Sequence, residues 1–322
     1  MLPGFWVEIN RTTPNTDESQ ISMKLRLSIF ANYGTVPLQI GIEQGFYKDV
    51  DLTVEIEPTT SSIAQMTGVV DGRFDIAATA IDNVIAYNSG QGAADTERAS
   101  DLKVFLGSAS YRLPLVVAPE VASFSDLKGK TIAVDALGTG FAFLLREMLE
   151  VNGLAHDQYE FKSFGAPKER WQAIKNKDAV GALLNAHFES IALNTNCRTL
   201  QSSPDPWDNY EGNTFCAGAK FLETGPVDAF IQATLRAVAY TKDPTNTQTV
   251  ADAMVRHIGN LDVEKALKEA QALQGPQSIL ADDLPVSRSG IAEVLRLREK
   301  YTDTTLGLTP EDLCDPRVTM VS

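Results

Sequence analysis

The stretch Lys24-Leu-Arg-Leu-Ser-Ile-Phe30, closed by Ala31-Asn-Tyr-Gly34 and followed by Asp51-Leu-Thr-Val-Glu-Ile-Glu57, decides the fold class. Both seven-residue runs alternate polar and apolar side chains with period two, the pattern of strands. Between them residues 36–44 read as a helix, with Pro37 in the first turn and Gly45 at the end. The second strand stops at Pro58, and Thr59-Thr-Ser-Ser62 offers hydroxyl caps to a helix running through Val70. A short buried strand at 74–78, a helix at 81–88 and a strand at 102–107 complete the unit. Strands alternating with helices in this way predict a mostly parallel sheet covered by helices, an α/β fold.

The pattern then restarts. Strands are predicted at 113–118, 131–135, 159–163 and 179–184, with a short helical turn at 124–129 and helices at 141–152 and 168–176. A stretch at 214–218 can return the chain to the first unit, and the remainder reads as four helices, at 227–241, 245–257, 262–273 and 289–300. This predicts two lobes: residues 24–112 plus about 214–322 form lobe 1, and residues 113–213 form lobe 2, inserted into it. Residues 1–22 belong to neither and are expected to be a loosely attached extension.

Composition narrows the partners. Of 322 residues, 28 are basic and 42 acidic, for a net charge of −14. The excess is shared evenly, about −4 for each of 24–112, 113–213 and 214–322. With no basic stripe to neutralise phosphates, neither nucleic acid nor an anionic membrane surface is an expected partner. Cys197, Cys216 and Cys314 lie far apart without CxxC spacing, so three buried thiols are expected rather than a disulfide framework. His156, His187 and His257 form no HxH or HExxH arrangement, and no metal is expected. The first 22 residues lack the basic start and apolar run of a secretory signal, so the chain as written is expected in the cytoplasm unless an export signal has been removed.

In open α/β sheets ligands gather beyond the carboxyl ends of the strands. Those ends here are Asn32-Tyr33-Gly34, Thr59-Thr60-Ser61-Ser62, Thr79 to Asn83, Gly138-Thr139-Gly140 and Asn185 to Glu189. Most are small, hydroxyl or amide residues, suited to orienting a polar molecule by hydrogen bonds. Gly138-Thr139-Gly140 opens a helix straight after a strand, where free N–H groups and the helix dipole suit a carboxylate, sulfonate or phosphate; the same glycines also serve a plain tight turn. Thr59 to Ser62 could cradle a second anion or simply cap a helix. Asp82 and Asn83 could bond a ligand or cap the helix they begin, and His187 could be a base, a ligand donor or a structural hydrogen-bonder. Tyr33, Tyr111, Phe141, Phe188 and Trp207 could wall a flat ligand or belong to the core. No Ser-His-Asp order or G-x-S-x-G elbow is present.

Several of these stretches resemble one family. Val36-Pro-Leu-Gln-Ile-Gly-Ile-Glu-Gln-Gly-Phe-Tyr47, Asp71-Gly-Arg-Phe-Asp-Ile-Ala77 and Asp126-Leu-Lys-Gly-Lys-Thr-Ile-Ala-Val134 resemble type II periplasmic solute-binding proteins, in the branch serving sulfonates, nitrate and thiamine precursors. The resemblance spans residues 24 to about 240. It implies two lobes joined by a two-crossing hinge, a small polar ligand, anionic or heteroaromatic, closed between them, and docking of the monomer on an ABC permease with no cofactor. It places the ligand loops on Asn32, Tyr33, Thr59, Thr60, Ser61, Asp82, Asn83, Thr139, Gly140, Asn185 and His187. The same fold hosts cytoplasmic lyases, decarboxylases and dehydratases; in such an enzyme His187 or Asp82 would be the acid or base and the Thr139–Gly140 turn the carboxylate clamp.

Overall fold

The computed structural model describes residues 22–110, 113–202, 210–259 and 261–322. Tyr111, Trp207 and all but the last residue of the N-terminal extension lie outside the described residues.

The first unit runs β1 (Met23–Ile29), α1 (Val36–Glu43), β2 (Leu52–Pro58), α2 (Ser62–Val70), β3 (Ile76–Ala80), α3 (Ile81–Asn88) and β4 (Leu102–Gly107). The second runs β5 (Pro114–Val117), β6 (Thr131–Val134), α4 (Gly140–Val151), β7 (Glu160–Ser163), α5 (Pro167–Lys175), β8 (Gly181–Leu183), α6 (Ala186–Leu193) and β9 (Arg198–Ser202). Then follow β10 (Asn213–Gly218), α7 (Ala219–Thr224), α8 (Val227–Lys242), α9 (Thr247–His257), α10 (Val263–Gln274), β11 (Val286–Ser287), α11 (Arg288–Thr302), α12 (Pro310–Leu313) and β12 (Met320–Val321). Two five-stranded sheets result, ordered β2-β1-β3-β10-β4 and β7-β6-β8-β5-β9, with a small β11-β12 pair beside them.

Each large sheet contains one strand that opposes the rest. β10 is antiparallel to β3 and β4, and β5 is antiparallel to β8 and β9. These are the first strands after each passage between the sheets. The chain leaves β4 at its carboxyl end and starts β5 directly; it leaves β9 likewise before starting β10. A strand begun at that edge must run back from it. The carboxyl edges of the two sheets therefore meet across the boundary between the lobes.

The alternating pattern works as read. In β2, Leu52 and Val54 are buried while Thr53 and Glu55 are exposed. Helices α1, α8, α9 and α10 cover one face of the first sheet, where Phe230 packs against Tyr47, Phe105 and Phe215. A second apolar core joins α2, α3 and α11 to α4, β5 and β6, and so runs through both lobes. A third lies beneath α5 and α6, around Trp171 and Leu184.

Several features depart from the sequence reading, among them α7, α12 and the β11–β12 pair, which were not anticipated. α6 and β9 were not anticipated: Asn185 to His187, read as a strand-end loop, is the capped start of a helix. The third strand begins at Ile76 rather than Phe74, because Phe74 turns inward and packs against the bare backbone of Gly68. Cys197 and Cys216 are buried thiols, but Cys314 is only half-buried, and all three are free.

Candidate functional site

Six of the anticipated strand-end residues hold their own loops together. Asn32 accepts the Gly34 N–H at 2.8 Å and donates to the Phe30 carbonyl at 2.9 Å. Ser61 accepts the Ala64 N–H at the start of α2, Thr139 the Ala142 N–H at the start of α4, and Asn185 the Phe188 N–H at the start of α6. Thr59 closes a turn on both the N–H and the carbonyl of Ser61, and Asn83 donates to Thr79 Oγ1. Thr60 is exposed, and Phe141 lines a small recess of lobe 2 together with Asp135 and Arg170.

Two contacts cross between the lobes from the strand ends. Tyr33, after β1, is only 7% exposed, and its hydroxyl lies 3.2 Å from His187 Nδ1, after β8. Glu269 of α10 also interacts with the Tyr33 hydroxyl, and Lys265, one helical turn earlier, acts on both Glu269 and His187. Burial lowers the affinity of His187 for a proton, and the nearby Lys265 cation lowers it further. Burial raises that of Glu269, against the pull of Lys265. The group is a hydrogen-bonding cluster that joins Tyr33 and Glu269 of lobe 1 to His187 of lobe 2.

The second contact is a hydrogen bond to an ionised carboxylate. Asp82, 4% exposed at the start of α3, accepts the Gly140 N–H of α4 at 2.6 Å. Both its oxygens are also bound by Arg298, which is 2% exposed: Nε to Oδ1 at 2.7 Å and Nη2 to Oδ2 at 2.6 Å. Arg298 donates further to Gln91 Oε1 and the Gly138 carbonyl, and its cation lies 5.2 Å from the centre of the Phe143 ring. Behind Thr139, Asp135 accepts the threonine hydroxyl at 2.7 Å; burial raises its carboxyl pKa, opposed by the Arg170 cation.

Strand-end reasoning thus found Tyr33, Asp82, Gly140 and His187, which the structure brings together in two pairs. It missed Arg298 and Glu269, which come from the helical tail. Arg298 left a trace: in α11 the buried positions Ile291, Val294 and Leu295 continue with helical spacing to 298, so a cation falls on the apolar stripe and needs a buried partner. Glu269 left none. Among the described residues, no group of three or more His, Cys, Asp or Glu is placed to hold a metal ion, and no helix is long and apolar enough to cross a membrane.

Two sheets meeting at their carboxyl edges, with one antiparallel strand apiece, define a two-lobed protein of the periplasmic-binding-protein type. The chain belongs to the NMT1/THI5-like family, whose pattern matches residues 32–247. Comparison with curated proteins gives no match. Among solved structures, the chain resembles a ligand-binding component of an ABC-type import system from Staphylococcus aureus, solved with zinc bound (TM-score 0.72, 14% identity, 91% of this chain and 97% of that one). It resembles the periplasmic aliphatic sulphonate-binding protein SsuA of Escherichia coli (0.69, 14%, 93% and 94%). It also resembles the Candida albicans CA3427 product, described as having the generic periplasmic binding protein fold (0.69, 13%, 93% and 98%).

Proposed function

We propose that the protein is the solute-binding component of an ABC-type importer, holding a small polar organic molecule between its lobes and presenting it to a membrane permease outside the cytoplasm. The observation that carries this reading is the Tyr33–His187 contact, which joins the strand ends of lobe 1 to those of lobe 2. A molecule held there touches both lobes at once, so binding is coupled to their closure. The fold shared with import-system binding components supports the same role.

In this reading Tyr33, His187, Thr60 and Phe141 face the solute. Asn32, Thr59, Ser61, Asn83, Thr139 and Asn185 shape the loops that present them, and Asp82 and Gly140 join the lobes beside it. The test is a thermal-shift and calorimetric screen against sulfonates, aromatic carboxylates and heterocycles. A solute bound only by the native protein stabilises it by about 2.7 kcal/mol at a hundredfold excess over Kd. His187→Ala and Tyr33→Ala should each weaken a stabilising solute at least tenfold. Unchanged affinity in both variants would place the solute elsewhere.

A further inference from the structure

Where Tyr33 meets His187, the position of one hydroxyl hydrogen decides what the imidazole presents. The Tyr33 hydroxyl lies 3.2 Å from His187 Nδ1, within reach for a hydrogen bond in either direction. The same hydroxyl donates to the carboxylate of Glu269 on α10. Lys265, one helical turn earlier, favours the charged form of that carboxylate against the pull of burial.

A phenol carries a single hydrogen, and an ionised carboxylate only accepts. With that hydrogen committed to Glu269, the Tyr33 oxygen serves His187 as an acceptor, so Nδ1 carries the ring hydrogen. Burial and the Lys265 cation both disfavour a second proton on the ring, which therefore titrates below its ordinary 6.5. In a neutral imidazole one nitrogen donates and the other accepts, so Nε2 is the bare nitrogen. The ring is also held in orientation. It meets Tyr33 edge-on, with centroids 6.2 Å apart and planes at 86°, and Phe188 at 4.9 Å and 80°. His187 is half-buried in the first turn of α6, at the carboxyl edge of the lobe 2 sheet, and Nε2 lies on the far side of the ring from Nδ1 and Tyr33.

We infer, resting on the solute-binding reading above, that Glu269 of lobe 1 sets the tautomer of His187 in lobe 2 through the Tyr33 hydroxyl, so that His187 offers Nε2 to the solute as a hydrogen-bond acceptor. The solute that fits carries an N–H or O–H group at that point. Glu269 is a positioning residue: it holds the Tyr33 hydrogen and acts on the solute only through the ring. Because Tyr33 and Glu269 belong to one lobe and His187 to the other, the chain of bonds is complete only when the lobes are together.

The experiment has two arms. In the first, the tautomer is read by nitrogen NMR of the imidazole rings in isotopically labelled intact protein at about pH 8, where a neutral ring shows one protonated and one bare nitrogen. The chain has three histidines, and the spectrum of His187→Gln identifies the one concerned. The wild type should show hydrogen on Nδ1 and a bare Nε2. Glu269→Ala frees the Tyr33 hydrogen to turn toward Nδ1, and the ring hydrogen should move to Nε2. Glu269→Gln, whose amide oxygen still accepts from Tyr33, should keep the wild-type tautomer. A packing role for Glu269 would leave the tautomer the same in all three. A wild type with its hydrogen on Nε2, or a folded Glu269→Ala with the wild-type tautomer, would overturn the inference. Should Glu269→Ala not fold, Tyr33→Phe breaks the same chain and should release His187 from the Nδ1–H form. These spectra need no solute, so neither result bears on the solute-binding role.

The second arm follows melting temperature with probes paired to differ in their N–H donors: nicotinamide with N,N-dimethylnicotinamide, and benzamide with N,N-dimethylbenzamide. Methylation should weaken a stabilising parent at least tenfold in the wild type, since a buried acceptor is left unpaired. The gap should shrink in Glu269→Ala, where Nε2 carries the hydrogen. A methylated probe bound as tightly as its parent, or the same gap in both proteins, would overturn the assignment of Nε2 to the solute. A wild type that responds to no compound, here or across the wider screen, would count against the solute-binding role itself and leave the tautomer to be judged on the spectra.

Discussion

Where α3, α4 and α11 meet, the lobes are joined by buried charge: Asp82, Arg298 and the Gly140 backbone lie within a continuous apolar core, and Glu147 of α4 ties in three groups of α11. Where Tyr33 meets His187, they are joined by one hydrogen bond between half-buried or buried rings, with Glu269 and Lys265 alongside. The two regions differ in what separation would cost. Parting the lobes here would take Asp82 from the Gly140 N–H, Arg298 from the Gly138 carbonyl and Glu147 from Arg296, Lys300 and Tyr301, and leaving buried ionised groups short of partners costs several kcal/mol. Parting Tyr33 from His187 exchanges one hydrogen bond for water, at about 1 kcal/mol. The junction is therefore the more tightly held part of the boundary, and the Tyr33 side is the part that separates at lower cost.

This contrast can be broken in several places. The largest expected effect is at Arg298: Arg298→Met leaves Asp82 buried without a counter-ion and should cost about 3–5 kcal/mol in denaturant unfolding, with Asp82→Asn in the same chain recovering a large part. A loss below 1 kcal/mol would mean that water reaches the pair and that the junction is not fixed.

Next is Glu211, whose carboxylate accepts the Ser287 N–H at the head of α11 and whose pKa burial raises from 4.5 to about 7. A carboxyl that binds its proton more tightly when folded stabilises the protein fully below pH 4.5 and loses that contribution as pH rises through 7. Glu211→Gln should therefore be more stable than the wild type by up to about 2–3 kcal/mol at pH 8, with the difference shrinking to nothing by about pH 4.5. A constant difference across that range would show that Glu211 does not titrate as described.

Glu147 works in the opposite sense. Against the upward pull of burial, Lys300, Tyr301 and Arg296 hold its carboxyl down to about 2. Its contribution is present above pH 4.5 and is lost as pH falls toward 2. Because Arg296 and Lys300 are well exposed, Glu147→Gln should cost only about 1–2 kcal/mol at pH 7, fading by pH 2–3 in acid titrations of stability.

The smallest effect on stability is expected at Tyr33→Phe, which keeps the ring and removes the hydroxyl. The loss should be about 0.5–1.5 kcal/mol, while amide exchange in the loops around Tyr33 and His187 should quicken and that at the α4–α11 junction should not. Equal acceleration at both would dissolve the distinction between them.

Much of the scaffold was legible because its strands alternate cleanly and its helices are punctuated. Residues 81–88 and 102–107 were read with the boundaries that the structure has, since Asn88 and Gly107 end an apolar period in each. β9 was not legible, because Arg198-Thr-Leu-Gln-Ser202 has a single strong apolar residue and takes its place only by pairing with β5. At the site, capping chemistry was visible in Thr59 to Ser62, where Ser61 caps α2, while the caps that Thr139 and Asn185 provide were not read from the sequence. The same local view set Thr139 and Gly140 out as an anion cradle, and could not show that Asp82, 58 residues earlier, lies in it.

The sequence by itself determined most of the elements, their order and the two-unit plan, because hydrophobic period and turn chemistry act over a few residues. Only the tertiary structure decided which groups the strand ends meet. The fate of Asp82 depends on an arginine 216 residues further along the chain, and that of Tyr33 on a histidine 154 residues away. The charge at the lobe boundary is a sum over groups that meet only when the chain has folded, and the Asp82 carboxylate held by an arginine and a helix start is such a group.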